Sequence, residues 1–200
     1  MPLSVTAGNG LLTQFDTAYA SFASLHTAYS ATGANEVAGG SYARVAVTFG
    51  SPSGEVMSLT GTPYTINVPA STTVAWVGLW SASTSGTFGG MFPAGAANAF
   101  AFAAPSSTST LLAPGSGYVS NAQVVVFPTG GSTLPTGLTA GTIYYVLSPS
   151  SDSFKLSATS GPGSAITLSS DGSGIVQAIS PEVFGSAGTF SLSSGSVTLV

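Results

Sequence analysis

Residues 74–80 read Val74-Ala75-Trp76-Val77-Gly78-Leu79-Trp80, the most continuous apolar run of the chain. A short run of branched and aromatic residues with apolar side chains on both faces is typical of a strand inside a sheet. Turn-forming residues flank it, with Pro-Ala-Ser-Thr at 69–72 and Ser-Thr-Ser-Gly at 83–86. The run therefore predicts a central β-strand.

Shorter β-forming runs lie on both sides of this strand. From Tyr42 to Phe49 the residues alternate, with Val45, Val47 and Phe49 on one face, which predicts a half-buried strand. The other predicted strands span 56–59, 64–68, 87–92, 122–127, 143–147, 153–157, 175–179, 188–192 and 196–199. Because the 26 glycines and 12 prolines also disfavour helices, the sequence predicts a mainly β protein with many turns.

One N-terminal segment has helical spacing instead. Between Asn9 and Leu25 the apolar residues recur three and four apart, at Leu11, Leu12, Phe15, Tyr19 and Phe22. This stripe predicts a helix, with Thr6 or Asn9 as its N-cap. We expect the stripe to cover an open sheet face; a groove for a partner is the alternative.

Charged residues are unusually rare. The chain has two Lys or Arg and six Asp or Glu, namely Arg44, Lys155, Asp16, Glu36, Glu55, Asp152, Asp171 and Glu182. None lies between Val56 and Ser151, so little charge would keep copies of a free monomer apart. This composition favours an assembly. With two cations and a net charge of −4, the chain is not expected to bind nucleic acid.

The sequence also argues against a membrane-spanning helix, a secretion signal and a thiolate metal site. No apolar stretch approaches the roughly 20 residues of a spanning helix, so no membrane partner is expected. The first residues lack the basic and apolar parts of a secretion signal. Cysteine is absent, which leaves no disulfide or thiolate metal site.

The sequence predicts no catalytic, cofactor-binding or metal-binding residue, and hence no enzyme. His26 is the only histidine, and a core or loop role is favoured over a catalytic one. The acidic residues are scattered singly, and Asp171-Gly172 is interpreted as a turn. A cell-wall hydrolase is therefore a remote alternative.

Two groups of side chains have competing interpretations. Glu36 and Arg44 flank a predicted turn, so an ion pair within the chain is favoured over a contact with a neighbouring subunit. Aromatic side chains are expected in the core or at interfaces, with an exposed sugar-binding platform as the alternative, at Trp76, Trp80, Phe88, Phe92, Phe100 and Phe102.

Several segments resemble virion structural proteins of tailed phages that infect actinobacteria, a group that includes minor tail, tail-fibre-like and capsid-decorating proteins. The similar segments are 19–27, 32–37, 39–44, 68–81, 85–88, 181–184 and 188–190, together with Leu192. Segments 134–138, 142–146 and 153–157 resemble a small β repeat of phage tail and adhesion proteins. The family has no catalytic residues, and its shorter members imply that the second module is an insertion.

The resemblance and the composition together give one prediction. A β-sandwich with one N-terminal helix, formed by residues 1–104 together with 181–200, docks on the particle, and an inserted small β-barrel-like module at 105–180 is exposed. The protein would be an accessory capsid-decorating or minor tail subunit, assembled in the bacterial cytoplasm into the virion. Its partners would be other virion proteins and its own copies, as a homotrimer. A carbohydrate-binding adhesin for a host-surface glycan is the alternative.

Overall fold

The computed structural model describes residues 3–95 and 99–199 and is mainly β, as predicted. The chain forms two compact units, Met1–Phe92 with Pro181–Val200 (unit 1) and Pro93–Ser180 (unit 2). In chain order the elements are α1 (Val5–Tyr19), β1 (Phe22–His26), β2 (Val45–Ala46), β3 (Thr48–Phe49), β4 (Val56–Thr60), β5 (Tyr64–Val68), β6 (Thr72–Val74), β7 (Trp76–Trp80), β8 (Phe88–Pro93), β9 (Ala99–Ala104), β10 (Thr110–Leu112), β11 (Gln123–Phe127), β12 (Tyr144–Leu147), β13 (Ser153–Ser157), β14 (Gly172–Ala178), β15 (Glu182–Phe184), β16 (Gly188–Leu192) and β17 (Ser196–Thr198).

The largest sheet of unit 1 has the order β2-β1-β7-β8, with β1 antiparallel to both β2 and β7. Strand β7 lies inside this sheet, and all five of its residues are buried. The prediction of a central strand is confirmed. The predicted run from Val74 is divided, however, because Val74 ends β6, which pairs with β15.

A second feature of unit 1 is a pair of successive antiparallel ladders. Strand β5 pairs with β16, from Tyr64 opposite Leu192 to Val68 opposite Gly188, and β4 pairs with β17. Between the two ladders the Leu59 N–H donates to the Gly195 carbonyl at 2.8 Å. Residues 56–68 and 188–198 therefore run side by side as two ladders, with residues 59–63 opposite 193–195, and β4 also pairs with β3. We call these two segments the ribbon. Its inward side chains are buried, at Met57, Ile66, Val68, Phe190 and Leu192.

The helix differs from its prediction at both ends. It begins after Ser4, whose Oγ accepts from the Ala7 N–H at 3.3 Å, so neither Thr6 nor Asn9 is the N-cap. It ends at Tyr19, and Phe22 begins strand β1 because pairing with β7 replaces the helical hydrogen bonds. Only Gly8 and Leu12 are buried within the helix, so the predicted apolar stripe covers much less than expected. No helix in the described part of the chain is long and apolar enough to cross a membrane.

Unit 2 is a closed barrel of six strands in the order β10-β13-β12-β11-β14-β9, in which β9 also pairs with β10. The barrel-like module that the sequence predicts is therefore present. Alternate residues of each strand point inward and form one apolar core. Its buried members are Phe102, Ala104, Leu111, Ala113, Val124, Val126, Leu138, Tyr144, Val146, Phe154, Leu156, Leu168 and Val176.

The boundary between the units lies at 92/93, whereas the sequence places it at 104/105. The difference arises from β9, which pairs with β14 over its whole length and so is a strand of the barrel. At the other end of unit 2 the Ser180 N–H donates to the Ala94 carbonyl at 2.9 Å. This bond brings the first and last residues of the barrel unit together.

Candidate functional site

The sole histidine belongs to a buried chain of hydrogen bonds in unit 1. His26 Nδ1 lies 2.9 Å from the Ala34 carbonyl oxygen, and His26 Nε2 lies 2.7 Å from Ser24 Oγ. Trp80 Nε1–H donates to the same Ser24 Oγ at 2.9 Å. Because β1 alternates its side chains, Ser24 and His26 share one face of the strand and reach Trp80 on β7.

These partners fix the proton positions. A carbonyl can only accept, so Nδ1 carries the proton and Nε2 accepts from the Ser24 hydroxyl, which in turn accepts from Trp80. Burial lowers the pKa of His26, although the bond to Ala34 and the charge of Glu36 act in the opposite direction. Ser24 and His26 are both 0% exposed, so no substrate reaches the hydroxyl in this conformation. The expected core histidine is confirmed.

The predicted ion pair between Glu36 and Arg44 is present and is bidentate. Arg44 Nε donates to Glu36 Oε1 at 2.8 Å, and Arg44 Nη2 donates to Glu36 Oε2 at 2.7 Å. The Arg44 guanidinium also lies 3.5 Å from the centroid of the Trp80 ring, and its Nη1 donates to the carbonyls of Ala82 and Ser85. Arg44 therefore ties the 34–36 segment and the turn after β7 to the same tryptophan.

The carboxylate of this pair has a further partner. Tyr42 Oη–H donates to Glu36 Oε1 at 2.9 Å while its oxygen accepts from the Leu25 N–H at 3.0 Å. Burial by itself would raise the pKa of Glu36, but the hydrogen bonds from Arg44 and Tyr42 outweigh it and hold this pKa below its ordinary value. Glu36 is thus ionised at neutral pH. We call Ser24, His26, Glu36, Tyr42, Arg44 and Trp80 the polar cluster.

Two glycines make room for the polar cluster. A Cβ at Gly78 would lie 2.5 Å from His26 Nε2 and 2.6 Å from Ser24 Oγ, which leaves no space for any side chain. Gly33 has φ +81°, and a Cβ there would overlap the six-membered ring of Trp80. The cluster is therefore tightly packed at Ser24, His26 and Trp80, as expected of a structural element that fixes a loop.

The two tryptophans and Phe102 do not contribute to the alternative sugar platform. Trp76 is 1% exposed and Trp80 9%, and Phe102 is buried in the barrel core. Phe88 is half-buried and packs on Trp80 with ring centroids 5.0 Å apart, and half-buried Phe100 packs on Tyr118 at 5.8 Å. The interpretation as core is correct for both tryptophans, and the platform based on them is wrong because their rings are inside the fold.

Two of the remaining acidic residues, Asp152 and Asp171, accept hydrogen bonds from the backbone N–H groups of loops. Asp171 Oδ1 accepts from the Ser106 N–H at 2.6 Å, and Asp152 Oδ1 accepts from the Gly115 N–H at 3.0 Å. The interpretation of Asp171 as a loop residue agrees with this bond. Across residues 3–95 and 99–199, no three His, Asp or Glu side chains come close enough to hold a metal ion.

Sequence reasoning missed Ser24 and Tyr42 as members of the polar cluster. The spacing Ser24-x-His26 would have placed both side chains on one face if residues 22–26 had been assigned to a strand. The helical stripe that runs through Phe22 concealed that pattern. Tyr42 reaches Leu25 and Glu36 only through the tertiary fold, and no local signal in the sequence points to these contacts.

One part of the chain is similar to a family of known proteins. No curated protein and no solved structure matches the chain. Residues 5–101 match the model of a family described as podophage GP4 fiber I protein gp80. The expectation of an actinobacterial host stays a prediction. This similarity to a fibre protein supports a bacteriophage virion structural protein and indicates that the chain is located in the virion.

Proposed function

We propose that the protein is a non-enzymatic subunit of the phage tail or its fibres, in which unit 1 docks on other virion proteins and unit 2 is exposed. The observation that carries this proposal is the extent of the family match. Residues 5–101 include all but the first four residues of the part of unit 1 that precedes the barrel, whereas most of the barrel lies beyond the match. The part shared with fibre proteins is then mainly segment 5–92 of unit 1, and we infer that the barrel is an addition to it.

The match favours a tail or fibre position over capsid decoration, because the family is described as a fibre protein. A docking role also suits the charges of unit 1. Its one cation, Arg44, is engaged by Glu36, and the other charged side chains of the unit are the carboxylates of Asp16, Glu55 and Glu182. Large neutral areas can be buried between subunits without desolvating unpaired ions.

The polar cluster supports a structural role within unit 1 rather than catalysis. A serine and a histidine at 2.7 Å are the pair a nucleophilic enzyme uses, but here both are fully buried and His26 Nδ1 faces a backbone carbonyl. Their hydrogen bonds hold the segment before Glu36 against β1 and β7. We therefore assign the cluster to the rigidity of the docking unit.

Labelling of intact particles tests the proposal. Purified virions would be incubated with gold-coupled antibodies against the whole protein and imaged by electron microscopy. We expect gold on the tail or its fibres. Gold distributed over the capsid would replace the tail assignment by capsid decoration. Virions that contain the chain by mass spectrometry but bind no antibody would contradict the exposure of unit 2.

Hydrogen exchange provides the second test. If unit 1 docks, its amides exchange more slowly in the particle than in the isolated protein, and those of unit 2 exchange at similar rates in both. Equal protection of unit 1 in the two states would contradict docking through that unit. The homotrimer expected from the sequence is a separate prediction, tested by the mass of the purified assembly.

A further inference from the structure

The segment 188–198, which contains strands β16 and β17, has a free edge. On one side it pairs with β5 and β4, and on its other side no strand is hydrogen-bonded to it in the described residues. Phe190 and Leu192 anchor it in the core, whereas Thr189, Ser191, Ser196 and Thr198 are exposed. It consists of β16, with five residues, and β17, with three, and residues 193–195 between them belong to neither strand. At about 3.3 Å per residue the two strands are roughly 17 Å and 10 Å long. We call residues 188–198 the open edge.

The open edge lacks every sequence feature that usually keeps an edge strand unpaired. Soluble proteins guard such edges with charged residues, lysine above all, or with proline. From Val183 to Val200 the sequence contains neither a charged residue nor a proline. An unguarded edge of this length presents a row of unpaired N–H and C=O groups that another strand can satisfy.

The other strand edges of unit 1 are short or protected. Strands β2 and β3 have two residues each, and β8 ends in Pro93. Strand β15 contains Glu182 directly after Pro181. The outer side of β5 faces residues 41–48, since Asn67 Nδ2 donates to the Ser41 carbonyl and Tyr64 Oη accepts from the Thr48 N–H. The open edge differs from these in combining two consecutive strands, β16 and β17, with no charged residue or proline in either.

We propose that the open edge pairs with the open edge of a second copy of this chain, antiparallel across a two-fold axis. The pairing rests on backbone hydrogen bonds, which need only a free edge of equal length, and a second copy supplies one. The face beside the edge is neutral as well, because the exposed ribbon residues are Ser58, Thr60, Thr65, Asn67, Thr189, Ser191, Ser196 and Thr198. Two copies therefore meet there without like-charge repulsion, although each has a net charge of −4.

This joint rests on the proposed assembly of copies in the virion, and it specifies the surface at which two of them meet. A two-fold joint predicts assemblies with an even number of chains, in contrast to the homotrimer expected from the sequence. Failure of the joint leaves the proposed function intact, because antibody labelling would still place the chain in the tail.

Cysteine cross-linking tests the joint directly, since the natural chain contains no cysteine. Single variants Thr189→Cys, Ser191→Cys and Ser193→Cys would be oxidised mildly and separated on a non-reducing gel. Residues that face their own copy across the axis have Cβ atoms about 5 Å apart, which permits a disulfide. We expect at least one of the three variants to form a covalent dimer at least ten times faster than the controls.

The matched controls are Thr65→Cys and Asn67→Cys. They lie on the same face directly opposite Ser191 and Thr189, but one strand farther from the axis. Equal cross-linking at the controls and at the open edge would show random collision and overturn the proposal. Lack of any dimer at all three test positions would also overturn it.

A second pair of variants tests the joint without cysteine. Ser191→Lys adds a guarding charge on the open edge, and Thr65→Lys adds the same charge to its paired neighbour. By sedimentation equilibrium we expect Ser191→Lys to weaken self-association at least tenfold and Thr65→Lys to change it less than threefold, with tryptophan fluorescence confirming that both remain folded. A wild-type chain that stays monomeric, with the edge protected from exchange only in virions, would assign the edge to a different virion protein and overturn the proposal.

Discussion

The barrel of unit 2 closes its sheet completely, whereas unit 1 leaves its sheets open. In unit 2 every strand has two neighbours, and one apolar core fills the interior. In unit 1 the strands form several separate sheets, and a polar cluster is buried among them. Closure removes strand edges and needs no partner, but an open sheet retains edges on which subunits can pair. Unit 1 is therefore the unit that has free edges for the subunit pairing proposed above.

The largest effect is expected from Phe154→Ala in the barrel, which tests whether the units are energetically separate. Phe154 is 1% exposed, and truncating a buried phenylalanine costs about 3–5 kcal/mol. Both tryptophans, Trp76 and Trp80, lie in unit 1, so urea unfolding followed by tryptophan fluorescence reports unit 1 and far-ultraviolet circular dichroism reports both. We expect the variant to shift the dichroism transition but not the fluorescence transition.

Leu112→Ala provides the control, since Leu112 is an exposed barrel residue. Its unfolding free energy should change by less than about 1 kcal/mol. If Phe154→Ala moved the fluorescence transition as far as the dichroism transition, the two units would unfold as one and the comparison would fail.

The next largest effect is expected in the polar cluster of unit 1. Arg44→Met leaves the Glu36 carboxylate with Tyr42 as its remaining hydrogen-bond donor and removes the cation from the Trp80 ring. Loss of one partner of a buried pair costs about 3 kcal/mol or more, and because the Glu36 side chain is 22% exposed we expect about 2–3 kcal/mol. Urea unfolding monitored by tryptophan fluorescence measures this loss.

The double variant Glu36→Gln with Arg44→Met removes both charges together. It should recover at least half of the lost stability, because no unpaired ion remains buried. A double variant as unstable as Arg44→Met alone would show that packing against Trp80, and not the charge of Glu36, dominates the effect.

Acidification should weaken unit 1 through His26. Its pKa in the folded chain is lowered by burial, so below its ordinary value of 6.5 the unfolded state binds a proton that the folded state does not. The unfolding free energy of unit 1 is then constant above about pH 7 and falls as the pH drops below 6.5, by at most about 1.4 kcal/mol per pH unit. Glu36, whose pKa is lowered below 4.5, contributes only at more acidic pH.

Fluorescence-detected unfolding between pH 5 and pH 8 measures this dependence. The variant His26→Gln has no titrating group at this position. Its unfolding free energy should therefore change little between pH 5 and pH 8, even if the variant is less stable than wild type at every pH. An equally steep decrease in the variant would assign the acid sensitivity to another group.

The smallest effect concerns the helix of unit 1. Gly10 lies inside α1 with open space around its Cβ position, so Gly10→Ala should stabilise the chain by about 0.5–1 kcal/mol. Gly8→Ala is the matched variant, because its Cβ would lie 2.5 Å from Glu55 Oε1 and displace that side chain. Thermal unfolding should rank Gly10→Ala above wild type and Gly8→Ala below Gly10→Ala. The reverse order would contradict the position of Gly8 on the packed face of helix α1.

Local sequence patterns predicted the strands that lie in regular ladders. The bounds of β5, β13 and β16 agree with prediction because alternation and flanking turns define them without help from distant residues. Strand β1 was missed because Phe22 continues the helical spacing of Tyr19. Its pairing with β7, more than fifty residues away, decides the conformation, and no local pattern contains that information.

The site followed the same rule. The ion pair between Glu36 and Arg44 could be predicted because charged residues are rare in the chain and these two lie close together in the sequence. The core position of His26 could be predicted because it is the only histidine and has no acidic residue near it in the sequence that would suggest catalysis. The bonds of Ser24 to Trp80 and of Tyr42 to Leu25 could not, because they join separate elements. The assignment of β9 to the first domain failed for this reason also, as its barrel partners lie at 110–112 and 172–178.

The hydrogen bond between Ser180 and Ala94 has a genetic consequence. Because the barrel unit begins and ends at one point, two recombination events in the coding sequence, near codons 93 and 180, would exchange the entire module without cutting any strand pairing inside it. A phage lineage could in this way exchange one barrel module for another in one step and keep residues 1–92 and 181–200 unchanged.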